Sequence, residues 1–241
     1  MQAAKAWKYI FTKENLEKIY KDKISLKPSV GMDKVTPKKF KTELSQNIDI
    51  ICRKVNSGHY HFTRYKQMLF TKGPKKPPRI VCVPTLRDKL TLAGLNEILS
   101  EVYGDCCKTQ MPQVIIDEIS KSVSQYHYFL KLDVKSFYTS INQQILLKKL
   151  QRKIRKTEII DLIKKAIKTN SIAYPIKDKT PISDNKEGIP EGLSISNALA
   201  NIYLMDLDAK YTENKSIKYW RYVDDILIFV NGPDFQNIKT L

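Results

Sequence analysis

Apolar residues first recur at helical spacing between residues 36 and 58. Thr36 followed by Pro37 reads as an N-cap with proline at the first helical position. Phe40, Leu44, Ile48, Ile51 and Val55 then follow every three or four residues, and Gly58 supplies a stop. Beyond this the period shortens. Tyr65–Phe70 and Arg79–Val83 have strand composition, and the TKGPKKPP between them has the content of a hairpin turn. A helix is predicted from about Thr85 to Tyr103, and the alternating Tyr128–Val134 reads as a strand. Residues Gln143–Lys168 read as one or two basic helices. Leu199, Ile202, Tyr203 and Leu207 mark another helix, from Ser194 to about Asp208. The run IKYWRYVDDILIFV carries two apolar strands, Tyr219–Val223 and Ile226–Val230, with Asp224 and Asp225 as the turn between them. There is no internal repeat and no low-complexity tract.

Composition narrows the class. The 241 residues are 42% hydrophobic and 28% charged, which is globular and long enough for one domain or two small ones. No run approaches the roughly 18 apolar residues of a membrane span. The N-terminus lacks the features of a signal peptide, so the expected location is cytoplasmic. Cys52, Cys82, Cys106 and Cys107 form no C-x-x-C pair or zinc pattern and are expected to be reduced. The formal net charge is +17. Residues 1–80 hold 19 Lys and Arg against 6 Asp and Glu, and a second basic stretch runs from Lys148 to Lys156. Such a field attracts polyanions and favours nucleic acid, although lysine-rich helices also serve solubility.

Three acids stand out against this background. Asp133 ends an otherwise apolar and aromatic strand, and Asp224 and Asp225 interrupt the apolar hairpin. A carboxylate in such a setting needs a cation or hydrogen-bond donors. Mg²⁺ meets that need, because it takes a few carboxylates and fills its other positions with phosphate oxygens and water.

At these residues the sequence resembles the reverse transcriptases, those of the bacterial group II intron type and their retron and phage-defence relatives. Tyr222-Val223-Asp224-Asp225 matches the family's YxDD box, and Leu132–Tyr138 (LDVKSFY) matches its first catalytic-acid motif. Gly188–Ser196 (GIPEGLSIS) and the following Asn197–Leu204 match the nucleotide-pocket loop and helix. Gly31–Thr36 resembles the N-terminal extension of intron-type enzymes, and Arg79–Lys89 resembles their fingers segment. The resemblance implies an α+β right-hand polymerase of fingers and palm, with an antiparallel sheet bearing the acids and no evident thumb. It divides the chain into 1–108 (N-terminal extension and fingers), 109–141 (first palm segment), 142–182 (helical fingers insertion) and 183–241 (second palm segment).

The same resemblance implies an RNA-directed DNA polymerase that adds dNTPs to a primer 3′-OH on an RNA template. Asp133, Asp224 and Asp225 become the catalytic acids. With the Val134 carbonyl they would hold two Mg²⁺ ions, or Mn²⁺ in their place. Lys72 and Arg79 would hold the triphosphate, a point charge beside a forked guanidinium. Tyr138 would act as a steric gate against ribose, and Glu191 and Gly192 would shape the nucleotide pocket. Arg87, Lys148, Lys149 and Arg152 would bind the backbone of an RNA template or a DNA or RNA primer. A role in phage defence fits the short chain and its unusual pocket loop.

Two features depart from the family pattern. Glu191 stands where the family commonly has Gln, which brings a negative charge to the triphosphate site. Only 16 residues follow Asp225, so a truncated chain is expected, or a thumb supplied by an oligomer or partner chain. Two alternatives stay open: a polymerase that makes RNA or works without a template, and a polymerase-shaped nucleic-acid-binding protein of little or no activity.

Overall fold

The computed structural model describes residues 2–26, 29–71, 73–74, 78–108, 110–174, 182–183 and 185–232. In chain order the helices are α1 (Ala3–Ile10), α2 (Lys13–Ile19), α3 (Pro37–Thr42), α4 (Leu44–Asn56), α5 (Leu86–Tyr103), α6 (Pro112–Ser122), α7 (Phe137–Ser140), α8 (Gln143–Gln151), α9 (Thr157–Lys168) and α10 (Ser196–Glu213). The strands are β1 (Tyr65–Phe70), β2 (Arg79–Val83), β3 (Tyr128–Asp133), β4 (Ser171–Ala173), β5 (Ile182–Ser183), β6 (Ile217–Tyr222) and β7 (Asp225–Val230).

The chain is built around α5. Its apolar side chains lie on all sides of the helix rather than in a stripe, and a helix of that kind is stable only when enclosed. Leu86, Leu90, Leu92, Leu95, Ile98 and Leu99 are all buried, under the N-terminal helices α1, α2 and α4 and against α9 and α10. The start of α5 is fixed by Thr85, whose hydroxyl oxygen accepts from the Asp88 amide at 3.2 Å. Asp88 is itself buried. It accepts from the Tyr60 hydroxyl at 2.8 Å, the Thr85 hydroxyl at 2.8 Å and the Thr63 amide at 3.0 Å. Burial raises its pKa, and these donors oppose the rise. One carboxylate thus ties the segment entering β1 to the head of the central helix.

The helix expected over residues 37–56 is broken at Glu43 (φ −100°, ψ 20°). The Asn47 side-chain amide donates to the Glu43 carbonyl at 2.9 Å and satisfies that oxygen at the break. The first two strands fall where the periodicity predicted them and pair antiparallel, Lys66 opposite Val83 through Phe70 opposite Arg79. Beside them β1 also pairs parallel with β4, giving the order β2-β1-β4-β5. Neither β4 nor β5 was expected, because three and two residues are too short to show a period. Nor were α1, α2 and α6, although α1 and α6 are amphipathic.

The second sheet is antiparallel, in the order β3-β7-β6. On one face Ile226, Ile228 and Val230 of β7 join Ile217 of β6 and Leu207 and Tyr211 of α10. On the other, Trp220 and Phe229 pack against Ile115 and Ile119 of α6. Among the described residues no helix is long and apolar enough to cross a membrane. All four cysteines are free, and burial pushes the Cys107 thiol up to about 12.

Replacing Asp88 with Ala removes the shared acceptor of Tyr60, Thr85 and Thr63. The expected loss is about 2–4 kcal/mol of stability, measured by urea unfolding. A loss below about 1 kcal/mol would mean that this junction does not hold the fold together.

Candidate active site

The three acids meet at one end of the antiparallel sheet. Asp133 is the last residue of β3 and pairs in register with Asp225, the first residue of β7. The two central residues of the hairpin turn are therefore Val223 and Asp224, with Tyr222 opposite Asp225. This corrects the expectation that both acids lie in the turn: Asp225 belongs to the strand. Val223 has φ +58°, and Asp224 is not among the residues with positive φ. A positive φ at the first central position alone is the type II′ pattern, which normally takes glycine there. A β-branched valine in that conformation is strained, by roughly 1–2 kcal/mol. The Asp224 carbonyl accepts from the Val134 amide at 3.1 Å, which joins the turn to the chain leaving β3.

A cleft of about 680 Å³ lies between β2, Tyr138 and the loop before α10. It is lined by Arg79 and Val81 of β2, by Tyr138, by the loop residues Glu191, Gly192, Leu193 and Ser194, and by Asn197 at the head of α10. Four of the predicted nucleotide-site residues, Arg79, Tyr138, Glu191 and Gly192, are thus brought together. Lys72, the fifth, lies outside the described residues.

The loop is fastened to its surroundings by its backbone. The Cys82 amide donates to the Glu191 carbonyl at 2.7 Å, the Ile189 amide to the Tyr138 carbonyl at 2.8 Å, and the Ser196 hydroxyl to the Pro190 carbonyl at 2.6 Å. Gly192 has φ +99°, and a Cβ there would sit 2.5 Å from the Val81 side chain and 2.9 Å from the Cys82 carbonyl oxygen. The close approach of loop and strand requires glycine.

Charge in the cleft is arranged around Arg79. Its guanidinium donates to the Glu191 carboxylate. That hydrogen bond raises the Arg79 pKa against the opposing effect of partial burial, and Asp224 acts in the same direction. Tyr138 is buried, and its hydroxyl donates to the Asn197 side chain. Burial pushes its pKa up to about 12, assisted by Glu191 and Asp224 and opposed by Arg79 and Arg221. Asp224 therefore acts electrostatically on two groups of the cleft. Asp225 instead lines a groove on the α6 side with Lys131, Tyr222 and Ile116.

Sequence reasoning missed Arg221 and the polar residues of α10 that surround it. Arg221 donates to both carboxylate oxygens of Asp208, at 2.8 and 2.6 Å, to Asn201 at 3.2 Å and to the Val223 carbonyl at 2.8 Å. Asn197, Asn201 and Asp208 recur at intervals of four and seven, so they share one face of the helix. That spacing is the sequence signal that was available.

The predicted nucleic-acid-binding cations behave unequally. Arg87 donates twice to Asn47, at 3.0 and 2.7 Å, and so braces α5 on α4. Lys149 donates to the Tyr203 carbonyl at 2.6 Å and pairs with Asp206 at 2.9 Å, and Arg152 takes the same carboxylate at 3.0 Å. Lys148 is exposed.

Among the described residues no group of three His, Cys, Asp or Glu is gathered closely enough to cage a metal ion. The acids do fit the looser mode in which Mg²⁺ takes one or two carboxylates and completes its shell with substrate phosphates and water. Asp133 and Asp224 stand at adjoining strand ends with the Val134 backbone between them.

The sequence matches the family described as Reverse transcriptase (RNA-dependent DNA polymerase) over residues 70–239. It is 26% identical over 184 residues to the Group II intron-encoded protein LtrA of Lactococcus lactis subsp. cremoris, covering 73% of this chain and 30% of that protein. It is 29% identical over 169 residues to the Retron Ec83 reverse transcriptase of Escherichia coli, covering 67% of this chain and 53% of that one. The chain thus spans about a third to a half of these two relatives. In fold it is similar to apo telomerase from Candida tropicalis truncated from its C-terminal domain, with a TM-score of 0.61 and 16% identity, over 74% of this chain and 46% of that one. A partial Cas6-RT-Cas1–Cas2 complex aligns over 92% of this chain and 38% of its own, with a TM-score of 0.51 and 21% identity.

Gly192→Ala places a methyl group against β2 and is expected to lower stability by about 1–3 kcal/mol. It should also speed hydrogen exchange at the Cys82 amide, which loses its Glu191 acceptor. Unchanged exchange at Cys82 would contradict the close packing of loop on strand.

Proposed function

Because the chain belongs to the reverse transcriptase (RNA-dependent DNA polymerase) family, we propose that it carries the fingers and palm of an enzyme that adds dNTPs to a primer 3′-OH on an RNA template. The observation that supports this reading is the juxtaposition of the Arg79–Tyr138–Glu191–Gly192 cleft with the Asp224 turn. A cation, a buried aromatic ring and a glycine loop then line one space of nucleotide size, and Asp224 is near enough to act on Arg79 and Tyr138 electrostatically.

In the reaction, the primer 3′-oxygen forms a bond to the α-phosphorus in line with the leaving group, and the bond to pyrophosphate breaks. Two Mg²⁺ ions held by Asp133, Asp224, Asp225 and the Val134 carbonyl would activate the attacking oxygen and neutralise charge on the leaving pyrophosphate. The chain's own contribution is positioning and fixed charge. Arg79 presents a fork of donors to the phosphates, and Lys72 adds a point charge. The Tyr138 ring, anchored by its hydroxyl on Asn197, would act as the steric gate that excludes a ribose 2′-OH. Gly192 lets the loop backbone approach the nucleotide. Lys148 is the basic residue of α8 available to a nucleic-acid backbone, while Lys149 and Arg152 would first have to leave Asp206.

Glu191 changes the affinity of this site. Arg79 is paired with it before any nucleotide arrives, so a triphosphate must compete with the carboxylate for the guanidinium. Arg79 is half exposed, which keeps the effect modest and sensitive to salt.

Two measurements test the reading. The chain should extend a primer on an RNA template with dNTPs and Mg²⁺, and Asp224→Ala should reduce extension by at least about 100-fold. Activity that survives the substitution, or equal use of rNTPs, would refute the assignment. Glu191→Gln should lower the KM for dNTP by about two- to fivefold at low salt, with a smaller change at high salt. Identical kinetics would show that the carboxylate plays no part in nucleotide handling.

A further inference from the structure

The steps above do not use Arg221, although its guanidinium makes four hydrogen bonds beside the Asp224 turn. It lies on β6 one residue before Tyr222, with its side chain 9% exposed. Two of its nitrogens take both oxygens of Asp208, the forked pairing that guanidinium favours. Its third, Nη1, donates to the Val223 carbonyl at 2.8 Å and to Asn201 at 3.2 Å. The guanidinium therefore spans from α10 to the hairpin turn.

The acceptor in that turn is specific. The Val223 carbonyl belongs to the peptide entering Asp224, and Arg221 holds it. The Asp224 carbonyl belongs to the peptide leaving Asp224, and the Val134 amide holds it. The peptide planes on both sides of Asp224 are thus pinned, one from β6 and one from the chain after β3. Pinning matters here because Val223 adopts φ +58°, which a β-branched residue does not favour. A turn released from Arg221 has lower-energy conformations open to it, and these would swing the Asp224 side chain away.

We propose that Arg221 is a positioning residue that fixes the peptide before Asp224, and with it the direction of the Asp224 carboxylate. It draws its own rigidity from Asp208 and Asn201. Asp208 is held in turn by the Tyr219 hydroxyl at 2.7 Å. The same face of α10 carries Asn197, which accepts from Tyr138. One helix face therefore sets the relative placement of the pocket tyrosine and the acid.

The competing explanation is a plain brace, in which Arg221 only fastens β6 to α10 through Asp208. Val223→Gly separates the two, because glycine takes a positive φ without steric penalty and leaves a turn that needs no clamp. The experiment compares Arg221→Ala in the wild-type and Val223→Gly backgrounds of the full chain. It reads amide exchange over residues 222–226 and the kcat and KM of dNTP incorporation. In the wild-type background Arg221→Ala should speed exchange at least about tenfold. It should lower kcat by about 10- to 100-fold, with KM changed less than about threefold. In the Val223→Gly background both losses should shrink by at least half on a logarithmic scale.

Equal losses in the two backgrounds would overturn the proposal in favour of the brace, and so would a change confined to KM. If Arg221→Ala does not yield folded protein, Arg221→Lys serves the same cycle, since an ammonium cannot span Asp208 and Val223 together. The kinetic arm rests on the polymerase reading and the exchange arm does not. A wild-type chain without incorporation, but with exchange that follows the expected pattern, would sink that reading and leave the role of Arg221 standing.

Discussion

Asp133 and Asp225 face each other across adjoining strands, and the surrounding structure depends on that pairing. Like charges directly opposite in a sheet repel, so the register must be enforced from elsewhere. The apolar run below them does so. Leu130, Ile226, Ile228 and Val230 face one core while Leu227 and Phe229 face another. A slip of one residue would exchange the two sets and carry Asp133 to the opposite face. The hydrophobic register of β3 on β7 is therefore what holds the acids at the sheet's open end.

Helix α10 turns that local arrangement into a site. Its apolar residues bury against the sheet and the α5 core, while its polar stripe reaches Tyr138, Arg221 and Asp208. Its hydrogen-bonding partners include the Pro190 carbonyl, the buried Tyr138 and the largely enclosed Arg221, so a shift of the helix would strand several polar groups at once. The loop before α10 is fixed in the same way. It contributes a strand-like hydrogen bond to β2 and is kept close by Gly192. The cleft is thus bounded by elements far apart in sequence, each tied to the next by backbone hydrogen bonds.

The basic character of the chain is redistributed by folding. Lys149 and Arg152 converge on Asp206, Arg87 turns inward to Asn47, and Arg79 meets Glu191. Several cations that a linear reading counts towards a polyanion field are therefore engaged within the protein. Coulomb attraction between neighbours acts at a few ångströms, whereas attraction to a distant polyanion is screened over about 8–10 Å.

The amino-acid sequence by itself determined the local elements and the chemistry they carry. The periodicity around Phe40–Val55, the strands Tyr65–Phe70 and Arg79–Val83, and the apolar hairpin around Asp224 were all legible, because period and turn chemistry are properties of neighbouring residues. The motif residues were legible for the same reason. What tertiary structure decided was which side chains meet. The pairing of Asp225 with Asp133, the Arg79–Glu191 pair, the short β4 beside β1 and the Tyr138–Asn197 hydrogen bond all join segments that the sequence leaves apart. No local rule encodes such meetings. They follow from the packing of α5 and α10 against two sheets, which fixes distances between residues more than a hundred positions apart in the chain.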